Sequence, residues 1–450
     1  MSTHSNNTKK LTLFAITWPI FIELLLHMLM GSADTLMLSQ YSDKSVAAVG
    51  VSNQILQIII VMFGFVATGT GIIIAQYIGA NKHKSASEVT STPITVNLLF
   101  GVALSLVLVI FADTFLNWMG LPNELMAEAR SYLQIVGGFS FIQALIMTCS
   151  VVLRNYGFTK DAMYVTLGMN IINVFGNFVL IFGVLGFPEL GVTGVAISTV
   201  ISRAIGLVVL FFLVLKRMEV KLPIASFFHL PKAHMKNILE IGVPAAGEHL
   251  AYVTSQMVIM YFINMMGTES ITAKVYTQNL MMFIFLFSVA VGQGTQILVG
   301  HHVGAKENQK AFVQCIRSLR IAMLISFLMG ILFTLLADSL FGIFTDNQDI
   351  ITIGAQLLFL TIILEPGRAF NLVVIGSLRA AGDVRFPVYM GILSMWGVSV
   401  TLSYFLGIVL GLGLIGIWIS FIADEWLRGL IMLRRWKSRV WERKSFVGNR

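Results

Sequence analysis

The chain has 450 residues, 56% of them hydrophobic and only 12% charged, with a formal net charge of +8 and a mean hydropathy of +0.83. Soluble domains sit near about 45–50% apolar and about 25% charged, so the composition excludes a soluble enzyme and reads as an all-α integral membrane protein. Its two cysteines, Cys149 and Cys315, fall in apolar runs and make neither a disulfide framework nor a metal site.

The polar head runs straight into a span too long for a signal-peptide core, so no cleaved leader is expected. Twelve apolar spans follow, at 11–38, 46–77, 91–112, 127–153, 162–185, 190–215, 237–265, 271–300, 311–336, 351–378, 387–410 and 412–433. The breaks carry turn residues or charge, as at Ser42-Asp43-Lys44, Gly79-Ala80-Asn81-Lys82 and Pro122-Asn123-Glu124. Basic residues gather at one set of span ends (Lys9, Lys82, Lys84, Arg154, Lys216, Arg217, Lys306, Arg379 and the tail from Arg434). Acidic residues gather at the other (Asp113, Glu124, Glu189, Glu269, Asp338, Asp349). The positive-inside rule then puts both termini in the cytoplasm, as an even span count requires. The basic surplus is topological, and no nucleic-acid partner is expected. The longest connection on the basic side, 221–236, reads as the joint between an N-terminal lobe, 1–220, and a C-terminal lobe, 237–450, that ends in a basic tail.

The two halves are a repeat. At a shift of 225 residues, Pro19 falls on Pro244, Glu23 on Glu248, Gly69-Thr70 on Gly294-Thr295, Gly79-Ala80 on Gly304-Ala305, Leu153-Arg154 on Leu378-Arg379 and Gly157 on Gly382. After a slip of three, Gly194 falls on Gly416 and Ser198 on Ser420. Six spans return the chain to its starting side, so the repeat is parallel, about an axis along the membrane normal. Such repeats bracket a central path and rock against each other.

The first span places Glu23, His27 and Asp34 on one helical stripe. A charge near the middle of a membrane helix costs about 2.5–3.5 kcal/mol on insertion scales, so this stripe needs a polar interior to face. Asp34 reads either as one side of a structural ion pair or as an ion- or proton-coupling carboxylate. Glu23 and His27, one turn apart, read as a self-neutralising hydrogen-bonded pair or as a proton relay or gate on the same stripe. Asn173 and Asn177, four apart on the fifth span with Asn170 close by, read as helix–helix glue or as neutral oxygen donors beside a carboxylate.

Glu365-Pro366-Gly367-Arg368 is expected to break the tenth span. Its Glu365 either pairs with Arg368 or, with Glu248, gives the second lobe an acidic lining suited to organic cations. Asp424, Glu425, Arg428 and Arg203 read as a self-compensated structural group. Met257, Met260, Met265, Met266, Met281 and Met282, with Phe283, Phe285 and Phe287, read as lipid-facing or core filler, or as a soft wall of the kind promiscuous binders use. The chain has no Walker A loop, dinucleotide turn, HExxH or CxxC pair. It is not expected to be an enzyme, and an ion gradient is the natural driver.

Met30-Gly31-Ser32-Ala33-Asp34-Thr35, Asn173-x3-Asn177, Pro188-Glu189-Leu190-Gly191-Val192-Thr193-Gly194-Val195-Ala196 and Gly376-Ser377-Leu378-Arg379, in that order on a twelve-span repeat, resemble the multidrug and toxic compound extrusion (MATE) transporters of bacteria. The resemblance covers nearly the whole chain. It implies two V-shaped six-helix lobes in the plasma membrane that export organic cations and other xenobiotics by antiport with H+ or Na+, and so a role in antibiotic resistance. It implies no cofactor beyond the coupling ion, and a monomer. It places the cation-coupling site of the N-terminal lobe on Asp34, where Na+ is an option, with Asn173 and Asn177 near it. Many relatives carry aspartate where this chain has Asn177, which removes one charge. The C-lobe acidic pair of some relatives falls here on Tyr252 and Arg368, within about one turn of Glu248 and Glu365. Those four residues, with Gln278 and Asn279, are the candidates for the substrate cavity. The alternative is a flippase for a lipid-linked glycan, which needs an arginine-lined cavity; Arg203, Arg368 and Arg428 are the only residues that offer it.

Overall fold

The computed structural model describes residues 12–218 and 232–447. Among these residues every regular element is helical. The first half holds α1 (Leu13–Ser39), α2 (Asp43–Gly79), α3 (His83–Ile110), the short α4 (Ala112–Trp118), α5 (Asn123–Gly138), α6 (Ser140–Asn155), α7 (Thr159–Phe182) and α8 (Gly191–Arg217). The second holds α9 (Lys232–Asn264), α10 (Thr268–Gly304), α11 (Asn308–Leu335), the short α12 (Ala337–Phe341), α13 (Gln348–Ala380) and α14 (Arg385–Ser394). Wider π-helical turns at Met395–Val400 and Ser403–Val409 continue α14, and α15 (Gly413–Lys437) closes the bundle. Of the predicted connection 221–236, residues 221–231 lie outside the described residues, as do Lys9 and the last three residues of the tail.

The repeat is carried into three dimensions in register. Helices α2 and α10, and likewise α3 and α11, begin and end 225 residues apart. Among the described residues nine helices are long and apolar enough to cross a membrane, and the pair α5–α6, bent by 44°, makes a tenth span. Helices α9 and α15, which carry Glu248 and His249 and Asp424, Glu425 and Arg428, complete twelve in two six-helix lobes.

The two copies differ at the fourth span. In the first, Gly137-Gly138 precede the bend at Phe139; in the second, the equivalent residues are Ile362-Ile363 and α13 is one helix. The expected break at Pro366 is corrected in one respect: the helix assignment runs through it without interruption. Proline removes the donor to the Ile362 carbonyl, and beside it Trp426 Nε1 of α15 donates to the Ile363 carbonyl at 3.0 Å.

Lipid tails are as apolar as leucine, so membrane helices associate by close packing of small residues. The lobes meet in this way at the end of the bundle that carries the chain termini. A Cβ on Gly79 would lie 2.0 Å from the His301 carbonyl oxygen, and one on its repeat mate Gly304 would lie 2.0 Å from that of Gln76. The α2–α10 crossing thus tolerates no side chain at either position. Gly69 against Ile238 and Gly294 against Thr17 extend the contact along α2–α9 and α1–α10. Toward the opposite end the same four helices present exposed side chains instead.

Candidate functional site

Three asparagines of α7, at helical steps of three and four, share one face and are buried where α7 packs between α1 and α8. Asn170 Nδ2 donates to the Leu26 carbonyl of α1 at 2.7 Å. Asn177 Nδ2 donates to Asp34 Oδ1 at 2.6 Å and, more weakly, to Asn173 Oδ1 at 3.4 Å. Asn173 Nδ2 donates to Thr199 Oγ1 of α8 at 3.3 Å, while its backbone carbonyl accepts from Ser198 Oγ at 2.8 Å. The structure therefore brings Asp34, Asn173 and Asn177 together, as the sequence reading grouped them, and adds Thr199, which no sequence signal pointed to. Asn173 and Asn177 are fully buried, and Asn177 Oδ1 has no hydrogen-bond partner. Buried polar atoms usually find one. Among the described residues Asp34 forms no salt bridge; Arg203 of α8 lies within electrostatic reach of both Asp34 and Tyr132.

That position corrects the grouping of Arg203 with Asp424, Glu425 and Arg428: it belongs to the opposite lobe. The other three do form a compensated group, with Arg428 Nη2 at 2.8 Å from Glu425 Oε2 and 3.3 Å from Asp424 Oδ2.

Glu23 does not pair with His27. Its carboxylate receives Arg154 of α6, with Nη2 at 2.6 Å from Oε1 and Nε at 3.0 Å from Oε2, and Arg154 Nη1 continues across the lobe interface to Gln293 Oε1 of α10 at 3.0 Å. A guanidinium offers five donors in a planar fork and outcompetes an imidazole for a buried carboxylate. His27 lies in the combined field of Glu23, Arg154 and Arg203. The repeat reproduces this pair: Glu248 of α9 is bonded by Arg379 of α13. The sequence carried the signal, because an acid and a base recur at one separation in both halves.

In the second lobe Arg368 Nη1 donates to Glu365 Oε1 at 2.8 Å, which resolves that pair, and Glu365 is fully buried. Asn371 Nδ2 donates to Glu425 Oε2 at 2.6 Å and so ties α13 to α15. With Glu248 on Arg379 and Glu365 on Arg368, neither carboxylate is a free acidic lining. Tyr252 is exposed.

Gln278 and Asn279 of α10 are exposed, and so are their repeat mates Asn53 and Gln54 of α2, with Gln57 one turn on. Amides exposed in the body of a membrane helix need water or polar partners; Asn53 Oδ1 accepts from Tyr132 Oη at 3.2 Å, and the two helices carry matching polar stretches at equivalent positions. Asn53 and Gln54 were not singled out from sequence, although the 225-residue shift equates them with Gln278 and Asn279. Met257, Met282 and Phe283 are exposed on α9 and α10, while Met281 is buried. An open groove of about 580 Å³ runs along α1 past Met28, Gly31, Ser32 and Thr35, on the turns that lead to Asp34.

The MatE family model matches residues 19–179 and again 244–405, two segments that coincide with the repeat. The chain is 55% identical over 439 residues to the uncharacterized transporter YisQ of Bacillus subtilis, across 98% of this chain and 96% of that protein. It is 28% identical over 437 residues to the probable multidrug resistance protein NorM of Thermotoga maritima, across 97% and 94%. A crystal structure of MATE in the bent conformation superposes with a TM-score of 0.87 at 20% identity, covering 95% of this chain and 94% of that one, and so shares the fold. With the motif order, the repeat and the helical architecture in agreement, the chain belongs to the MatE family and is a MATE transporter.

Proposed function

We propose that the protein is a secondary active exporter of organic cations and other xenobiotics, driven by antiport of H+ or Na+. It works as a single chain in the plasma membrane with both termini in the cytoplasm, and its lobes, 1–220 and 237–450 joined through 221–236, alternate access between the two sides. The observation that carries this reading is Asp34: a carboxylate in the body of a membrane helix, held by the Asn177 amide and free of a direct ion pair among the described residues. A carboxylate so placed can take a proton. It can equally offer oxygen to a hard cation, together with the unpartnered Asn177 Oδ1 and with Asn173 Oδ1. Either event withdraws negative charge from Asn177 and changes the bond between α1 and α7.

Since α1 also lines the open groove past Met28, Gly31, Ser32 and Thr35, ion binding at Asp34 and substrate release along that groove are coupled through one helix. The exposed amides Asn53, Gln54, Gln278 and Asn279, with Tyr252 and the methionine and phenylalanine side chains nearby, supply an adaptable wall for aromatic cations. Lipid-linked glycan transport is disfavoured, because Arg368 and Arg428 are paired with carboxylates and Arg203 lies in the field of Asp34. The test is purified protein in liposomes loaded with ethidium, under a Na+ gradient and a pH gradient imposed one at a time. Movement under one of them is expected; movement under neither counts against cation-coupled export.

A further inference from the structure

Gln76, fully buried on the last turn of α2, has its amide consumed by residues of the second half. Its Nε2 donates to the Ala380 carbonyl that ends α13, at 2.6 Å. Its Oε1 accepts from Ser445 Oγ at 3.0 Å and from the Phe446 N–H at 2.8 Å. The 225-residue shift equates Gln76 with His301 and Ala380 with Asn155, and His301 Nε2 donates to the Asn155 carbonyl at 2.8 Å. Each lobe thus reaches across to the carbonyl that ends the other lobe's fourth span. These two crossed hydrogen bonds lie beside the glycine contacts of Gly79 and Gly304, at an interface that must part if access is to alternate.

The chain after α15 closes over one of them. Arg439, with φ of 56°, turns the backbone, and Trp441 stacks on Trp436 with ring centroids 4.2 Å apart. Lys444 Nζ and Arg435 Nε both reach the buried Asp383, each at 2.7 Å. A Cβ on Gly382, where φ is +94°, would lie 2.0 Å from the Lys444 carbonyl oxygen, so the tail backbone rests directly on that turn. Phe446 then packs on an apolar cluster drawn largely from α2, α6 and α8 of the first lobe.

We propose that residues Lys444–Val447 form a strap, anchored to the second lobe at Asp383 and hooked to the first at Gln76, that holds the terminus-bearing end closed and has to lift in each transport cycle. Gln76 and Ser445 are then positioning residues of the cycle. The proposal rests on the export reading above and extends it to the gate.

Spin labels on Lys84→Cys and Lys310→Cys, one at the start of α3 and one at the start of α11, report the opening of that end in full-length protein; the two native cysteines are buried. A hydrogen bond is worth about 1 kcal/mol, a factor of about five in population. Deleting residues 444–450, which removes two such bonds, is expected to raise the long-distance population at least fivefold, and Ser445→Ala to raise it severalfold. A distance distribution for the deletion that matches the intact chain overturns the proposal. In a second arm, Gln76→Cys with Ser445→Cys is cross-linked in ethidium-loaded liposomes. Efflux lost on oxidation and recovered on reduction supports the strap; a cross-linked protein that transports at the full rate refutes it. The distance measurement needs neither substrate nor ion gradient, so it still tests the strap if the export reading fails.

Discussion

The Glu23–Arg154 pair gives a quantitative handle on the fold. Glu23 is 1% exposed and Arg154 is 12% exposed, with two contacts of 2.6 and 3.0 Å between them. Removing one partner of a buried pair costs about 3–5 kcal/mol, because the other charge is left uncompensated. Glu23→Gln falls at the lower end, since the new amide oxygen still accepts and Arg154 keeps its bond to Gln293. At roughly 2 °C per kcal/mol for a chain of this size, the apparent melting temperature in detergent should drop by roughly 6 °C. The repeat supplies an internal control. Glu248 and Arg379 are 15% and 20% exposed, so Glu248→Gln should cost about half as much, because solvent screens the charge that remains. Glu23→Gln combined with Arg154→Gln should recover more than half of the loss, since no lone charge is left behind. Thermal unfolding followed by size-exclusion fluorescence reads all four proteins. A Glu23→Gln melt within about 1 °C of wild type, or a double variant no better than the single, would refute the reasoning.

Other consequences follow from the same geometry. Gly79→Ala puts a methyl into the His301 carbonyl; overpacking of this kind costs about 1–3 kcal/mol, and transport should fall sharply while circular dichroism stays helical. Wild-type efflux would show that the crossing is looser than described. Asn177→Leu removes the donor to Asp34 and should abolish coupling, whereas Asn177→Asp should retain it with altered ion dependence; equal behaviour in a gradient-driven efflux assay would contradict the site. Gln278→Leu should raise the KM for a cationic dye with little change in the maximal rate, as read from initial rates. On the pH axis, Glu307 accepts from Lys310 and bonds His302, and these contacts, Lys310 first, hold its carboxyl below the usual value of about 4.5. A depressed pKa stabilises the fold above that value and the gain is lost as pH falls through the folded-state pKa. The small deficit of Glu307→Gln should therefore be present at neutral pH and close in acid, as thermal shifts across pH would record.

The architecture was readable because membrane spans and a gapless repeat leave strong one-dimensional traces. The shift that aligned Pro19 with Pro244 also aligns the ends of α2 and α10. Ion pairs left weaker traces. Arg154 reaches Glu23 across 131 positions of sequence, and helical spacing favoured the nearer His27, yet only three dimensions set the strength of an arginine fork against an imidazole. Arg203 was misgrouped for a similar reason: its own span already lies in the first lobe, and packing sets it near Asp34 rather than near Asp424, Glu425 and Arg428. The Pro366 turn read as a break because proline removes a helix donor, whereas contacts from another span, Trp426 and Glu425 against Gly367, are not visible in the sequence. Asp34, Asn173 and Asn177 were legible because polar groups in apolar spans stand out. Thr199 was not, since a hydroxyl in a membrane helix usually bonds its own backbone.

The central claim is that Asp34 couples ion movement to export, and the most direct measurement compares wild type with Asp34→Asn in ethidium-loaded liposomes under the gradient that drives the wild type. The substitution keeps the size of the side chain and a hydrogen bond to α7 while removing the charge. The account predicts a folded, monodisperse protein whose gradient-driven efflux is lost. Efflux by Asp34→Asn at the wild-type rate under that gradient would contradict it and move the coupling site to another group.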